Sequence, residues 1–193
     1  MKTKIGVIGN GNVGSALQRG LERGGYEVRS AGKEADALRS LAGWADTLIL
    51  AVPYAAIDDV LATLGAAKDG KIVVDVTNAL TPDFQLALGF TTSGAEELQR
   101  KAPKAKVVKA FNTTFAQHMD KGHVKSEPIA AFIAGDDPDA RKHVTALAAA
   151  IGFDAVDAGP LRNARLLESL GYLNIQLGVM LKLGTDIGFK LVR

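Results

Sequence analysis

Residues 4 to 17 read KIGVIGNGNVGSAL and restrict the fold more than any other stretch of the chain. Lys4 to Ile8 is a short β-branched, apolar run suited to a buried central strand. It stops at Gly9, after which Gly11 and Gly14 complete G-x-G-x-x-G. Gly9 permits the tight turn, Gly11 lets the backbone approach a pyrophosphate, and Gly14 lets the next helix pack closely on the strand. Val13, Leu17 and Leu21 then repeat every four residues, the core-facing stripe of a helix. The pyrophosphate would lie at that helix's N-terminus, over Gly9, Asn10, Gly11, Asn12, Val13 and Gly14, where free N–H groups and the macrodipole favour anions. With 21 glycines in 193 residues the pattern alone could arise by chance. The strand before it and the amphipathic helix after it make it a dinucleotide site.

The second strand, Tyr26 to Ala31, decides which nucleotide. An NAD site carries an acid near this point, about 20 residues past the glycines, on the ribose 2′-hydroxyl. Here the chain reads Arg29-Ser30-Ala31-Gly32-Lys33, with no acid until Glu34. Ser30 and Lys33, with Arg29 behind them, suit a 2′-phosphate. The expectation is NADP(H) over NAD(H), and Glu34 keeps NAD as the alternative.

A strand at 46–53, DTLILAVP, delivers Ala51, Val52, Pro53 and Tyr54 to the ligand end of a parallel sheet, with Val52 and Pro53 beside the nucleotide. After a strand at 71–76, residues 78–94 form a long stretch without a period. Leu80, Phe84, Leu86, Leu88 and Phe90 predict a packed loop beside the crevice. Asn78, at its start, suits a ribose or a nicotinamide carboxamide, or simply caps a turn. Ser93 and Glu96 form a capping box for the next helix. A strand at 106–110 runs into Phe111-Asn112-Thr113-Thr114, polar residues on the ligand side of the sheet. Further strands are expected at 129–134 and 153–156, around a helix opened by Asp137-Pro138. From Leu161 a helix carries Leu166, Leu170, Leu173, Leu177 and Met180 on one stripe, widened by Leu167, Ile175, Leu181 and Leu183. Such a surface must be covered on more than one side, and a homodimer through this helix is expected.

The formal net charge of +2, with both signs spread along the chain, gives no reason to expect nucleic acid or an anionic membrane as partner. No cysteine is present, which removes disulfides, thiolate catalysis and zinc–thiolate sites and fits a reducing, cytoplasmic setting. No apolar run approaches the roughly 20 residues needed to span a bilayer, and the N-terminus reads as a strand rather than a leader. His118, His123 and His143 are scattered and form no dyad, so no catalytic acid or base and no metal site is assigned.

Several stretches together resemble the NADPH-dependent reductases of the 8-hydroxy-5-deazaflavin coenzyme, with the related cytosolic domain of the STEAP metalloreductases. They are IGNGNVGSAL at 8–17, ILAVP at 49–53, VVKAFNT at 107–113, AGDDPDAR at 134–141, AGPLRNARLLESL at 158–170 and the terminal GTDIGFKLVR. The resemblance covers nearly the whole chain. It implies hydride passed between NADP(H) and a second flat cofactor, a deazaflavin (coenzyme F-420) or FMN or FAD, with Asn112 and Thr113 facing the second ring. Transfer between two stacked heterocycles needs positioning more than a protein acid or base. At Asn112 the deazaflavin reductases carry a histidine, and at Gly32 and Lys33 a serine and an arginine. The expected architecture is α/β, a Rossmann-type doubly wound parallel sheet at 1–158 with a C-terminal helical extension at 159–193. The other readings are an NADP(H)-binding redox sensor without turnover and a reductase of small imines or carbonyls.

Overall fold

The computed structural model describes residues 3–88 and 90–193. Its centre is a seven-stranded sheet. The strands are β1 (Lys4–Ile8), β2 (Glu27–Ala31), β3 (Thr47–Leu50), β4 (Ile72–Asp75), β5 (Lys106–Lys109), β8 (Ala130–Gly135) and β9 (Asp154–Asp157), and a small hairpin pairs β6 (His123–Val124) with β7 (Glu127–Pro128). Spatial order is β2-β1-β3-β4-β5-β8-β9. The first five strands are mutually parallel, while β8 pairs antiparallel with β5 and parallel with β9. The expected doubly wound α/β sheet is therefore present, with two reversed strands at one edge.

Alternation along the strands feeds two cores. Ile5, Val7, Ile49, Val74 and Val108 face helices α1 (Asn12–Arg23) and α5 (Pro138–Ile151). Ile8, Leu48, Leu50, Val73 and Val107 face α2 (Ala35–Trp44), α3 (Ile57–Leu64) and α4 (Gly94–Lys101). Leu17 and Leu21 on α1 are wholly buried, as their spacing predicts; each is worth about 1.5–3 kcal/mol of apolar burial. Two helix starts follow their sequence signals. Ser93 accepts from the Glu96 N–H, and Asp137 accepts from the Ala140 N–H ahead of Pro138 at the first turn.

One expectation fails. The 78–94 stretch does not bury its aromatic side chains: Phe84 and Phe90 are 61% and 74% exposed, and Gly89 lies outside the described residues. The last helix is α6 (Ala164–Ile175), continued by a π-turn over Gln176–Met180. Its buried residues are Ala164, Leu167, Glu168, Gly171 and Asn174, whereas Leu166, Leu173 and Met180 of the leucine stripe are exposed. With Leu170 and Leu177 half-buried, the stripe turns largely outward. The inner face needs small and polar residues because it rests on backbone and buried amides, described below. Beyond the π-turn the chain runs back along the reversed edge of the sheet, where Ala130 N–H donates to Phe189 O and Arg193 pairs with Asp154.

Candidate functional site

Sheet order reverses at β1, which has β2 on one side and β3 on the other, so the crevice opens at the carboxyl ends of β1 and β3. Its walls are held by backbone bonds: Gly9 N–H donates to Ala31 O and Ala51 N–H to Ile8 O, both at 2.8 Å.

The three glycines do different work. A Cβ on Gly9, whose φ is +105°, would come within 2.2 Å of Ala51 O, and one on Gly14 within 1.9 Å of Gly9 O. Those two close the turn against the protein itself. A Cβ on Gly11 would meet nothing within 4 Å. Its bareness serves no packing need, and it leaves open space over the first turn of α1, where no acidic side chain opposes an anion. This is a fit to a diphosphate. Ser15 Oγ donates to Asn10 O and braces the turn from behind.

On one side of the turn lies a cleft of about 580 Å³ lined by Gly9, Asn10, Gly32, Lys33, Glu34, Leu38 and the 51–63 segment, including Val52, Pro53, Asp59 and Val60. On the other is a pocket of about 310 Å³ lined by Gly11, Asn12, Val13, Ala51 to Tyr54 and Val76 to Asn78. The two share Ala51, Val52 and Pro53, so one elongated ligand can lie across the glycine turn with an end in each. Of the residues read from sequence, Gly9 to Val13, Lys33, Val52, Pro53 and Asn78 line these spaces, and Gly14 lies buried beneath them. Ser30 does not join them. Neighbouring Ala31 packs on the α2 side with Leu38, which puts Ser30 on the opposite face of β2, in register with Val7. Arg29 is turned away as well, its guanidinium 4.2 Å over the Trp44 ring.

At the carboxyl ends of β4 and β5 the arrangement is different. Lys109 is wholly buried; its Nζ donates to Asp75 Oδ2 at 2.9 Å and Thr77 O at 2.6 Å and lies 2.9 Å from Glu168 Oε1. Burial pushes the ammonium pKa down, but the Asp75 and Glu168 carboxylates outweigh it and hold Lys109 above the ordinary lysine range. Glu168, reaching in from α6, also accepts from the Gly94 and Ala95 N–H groups that begin α4. Asp75 Oδ1 accepts from Thr77 N–H, so two charged side chains fix the backbone of the residue just before Asn78. Sequence reading missed this trio because its members stand far apart in the chain. The available signal was an ionisable residue closing each of two apolar strands, IVVD and VVK.

Asn112 and Thr113 sit under this cover, 4% and 3% exposed. Phe111, at φ +65°, turns the chain so that Asn112 Nδ2 donates to Asn78 Oδ1 at 3.0 Å and Leu167 O at 2.8 Å, while Asn78 Nδ2 donates to Asn112 O. A Cβ on Gly171 would stand 2.6 Å from Asn78 Oδ1 and 2.8 Å from Asn112 Nδ2. Helix α6 therefore presses its bare glycine onto the paired amides, and Asn174 Nδ2 donates to Thr113 O. Neither Asn112 nor Thr113 faces open space, contrary to the expectation that they meet a second ring. Open surface next to the smaller pocket lies instead across α1, a depression of about 380 Å³ lined by Asn12, Ser15, Arg19, Phe115, Ala116 and Gln117.

Among the described residues no group of three or more histidine, aspartate or glutamate side chains is placed to hold a metal. None of their helices is long and apolar enough to cross a membrane. His118 is buried against Thr185 O, and His143 is hydrogen-bonded to Thr47, so the histidines stay apart.

No family model matches the sequence. Among solved structures, a protein described as an F420-dependent NADP reductase from Arthrobacter sp. superposes with a TM-score of 0.90 at 29% identity, over 99% of this chain and 100% of that one. A hypothetical protein from Sinorhizobium meliloti gives 0.69 at 31% identity over 83% and 86%. Among curated proteins, metalloreductase STEAP3 of Rattus norvegicus is 30% identical over 179 residues, 86% of this chain and 36% of the relative. The chain thus spans about a third or less of the length of the curated relatives it matches. An imine reductase from Myxococcus stipitatus, at 15% identity and TM-score 0.68, shares the fold.

Proposed function

We propose that this chain, which belongs to the family of small NADP-dependent reductases that includes the deazaflavin-dependent NADP reductases and the STEAP oxidoreductase domain, carries hydride between NADP(H) and a second flat redox cofactor, a deazaflavin or a flavin. The observation that carries the reading is the pair of spaces sharing Ala51 to Pro53 on either side of an unobstructed Gly11. The adenosine half belongs in the larger cleft with Lys33 toward the 2′-phosphate, and the diphosphate over Gly11 to Val13. The nicotinamide belongs in the smaller pocket between Val13, Pro53 and Asn78. Bound there, the nicotinamide supplies or accepts the hydride, and the protein's part is to hold two rings in reach of each other. Val13, Val52 and Pro53 supply apolar walls; Asn78, fixed by Asn112, presents a rigid edge. The second ring belongs at the junction with the depression along α1, where the shared residue is Asn12. Residues 159–193 are read as an extension of a nucleotide-binding unit at 1–158, and the exposed Leu166, Leu173 and Met180 as the contact of a homodimer, which sedimentation at micromolar concentration tests.

The decisive experiment mixes purified protein with NADPH and, in parallel, the deazaflavin coenzyme, FMN and FAD. Consumption of NADPH with at least one of them is expected. Tight nucleotide binding without turnover would favour a redox sensor instead.

A further inference from the structure

The cleft proposed for adenosine is lined by one cation and two anions: Lys33, Glu34 and Asp59. That is an unusual balance for a wall meant to select a doubly negative 2′-phosphate. Glu34 is the N-cap residue of α2, a position that favours the shorter Ser, Thr, Asn and Asp side chains as acceptors of an N–H. Here it makes no capping bond. Among the described residues it also has no salt-bridge partner, nor has Lys33. The carboxylate turns back over Gly32 instead: a Cβ on Gly32 would lie 2.9 Å from Glu34 Oε2 and 3.6 Å from Asn10 Nδ2. The acid thus stands over Gly32 at the tip of β2, beside Lys33 and toward Asn10 of the glycine turn. Arg29, the remaining cation of this strand, is stacked on Trp44 and 3.9 Å from Glu27, so Lys33 faces Glu34 without support.

We propose that Glu34 sets the nucleotide selectivity of this chain: its carboxylate accepts the adenosine ribose hydroxyls of NADH and opposes the 2′-phosphate of NADPH, so both nucleotides are bound with affinities of the same order. Resting on the assignment of this cleft to a pyridine nucleotide, the inference adds NADH as a working ligand and names the side chain that admits it. Lys33 and Glu34 act as opposed selectors on one wall. A free ribose gives its hydroxyls to the carboxylate, and a phosphorylated one trades that loss for the ammonium.

Isothermal titration of the full chain with NADPH and with NADH needs no second substrate. The two dissociation constants should differ by less than about tenfold in the unsubstituted protein, or about 1.4 kcal/mol. Glu34→Gln should tighten NADPH and weaken NADH, moving their ratio by about fivefold or more, and Lys33→Gln should move it the opposite way. Gly32→Ser, which keeps the charge but crowds the carboxylate out, should shift the ratio in the direction of Glu34→Gln. Both nucleotides binding with a ratio that Glu34→Gln leaves unchanged would overturn the role of Glu34 alone. Neither nucleotide binding the unsubstituted protein would overturn the cofactor assignment as well.

Discussion

The carboxyl ends of β1 and β3 and those of β4 and β5 lie side by side on one sheet, yet they are built in opposite ways. At β1 and β3 the chain withholds side chains, so that bare backbone N–H groups and an unobstructed Gly11 face outward. At β4 and β5 it places Asp75, Lys109 and Asn112 and then seals them beneath α6 through Glu168, Gly171 and Asn174. At the open end the packing is carried beneath the surface by Gly9 and Gly14, and nothing in the chain leans on Gly11. At the sealed end the charges depend on one another for solvation. Asn78 joins the two: it lines the smaller pocket beside Gly11 and bonds to Asn112 through its amide.

Breaking the sealed end should have the largest effect. Lys109→Met leaves two buried carboxylates facing each other and should cost about 3–5 kcal/mol in denaturant unfolding, because removing one member of a buried pair strands the other. A loss under about 1 kcal/mol would mean that the cluster is not sealed. The same contact has a pH signature. The Lys109 pKa is raised, so its contribution is complete below the unfolded value of 10.5 and fades as pH rises through the folded one.

A smaller effect tests the join. Asn112→Ala removes donors to Asn78 and Leu167 and should destabilise by about 1–3 kcal/mol. It should weaken NADPH only through the loosened Asn78. A turnover defect at full stability would place Asn112 on the second ring after all.

The smallest effect concerns the rim, where Arg165 of α6 makes two bonds, at 2.7 and 2.8 Å, to Glu96 of α4. Arg165 holds the Glu96 carboxyl below its usual range despite partial burial. A depressed acid stabilises above its unfolded pKa of 4.5, and the gain is lost as pH falls through the folded value. Glu96→Gln should therefore flatten the acid limb of the stability profile by less than about 1 kcal/mol, solvent still screening this half-buried pair. An unchanged profile would show that Glu168 alone joins the two helices.

The same contrast explains what could be read in the sequence. The open end was legible because strand, turn and helix are contiguous: Ile8, Gly9 and Leu17 carry their roles within a few residues, and the local spacing states the packing. The capping bonds of Ser93 and Asp137 were legible for the same reason. The sealed end was not, since Asp75, Lys109 and Glu168 meet only once the sheet and α6 are assembled. The inner face of helix α6 was illegible for a related physical cause. Leucine is the helix's commonest residue, but its inner face must admit backbone and amides, so Gly171 and Asn174 point inward and Leu173 outward. Ser30 misled through alternation: one residue along β2 reverses the face on which a side chain stands.

The central claim is that bare backbone at the first turn of α1 grips the diphosphate of NADP(H). Gly11→Val tests it most directly, because a Cβ there meets nothing in the protein and should leave the unfolding temperature within about 1–2 °C of the original, as for a surface change. Titration calorimetry should show one NADPH site per chain in the unsubstituted protein and a loss of more than about tenfold, or about 1.4 kcal/mol, in the variant. Equal NADPH affinity in the two proteins, or no heat from either at millimolar nucleotide, would contradict it.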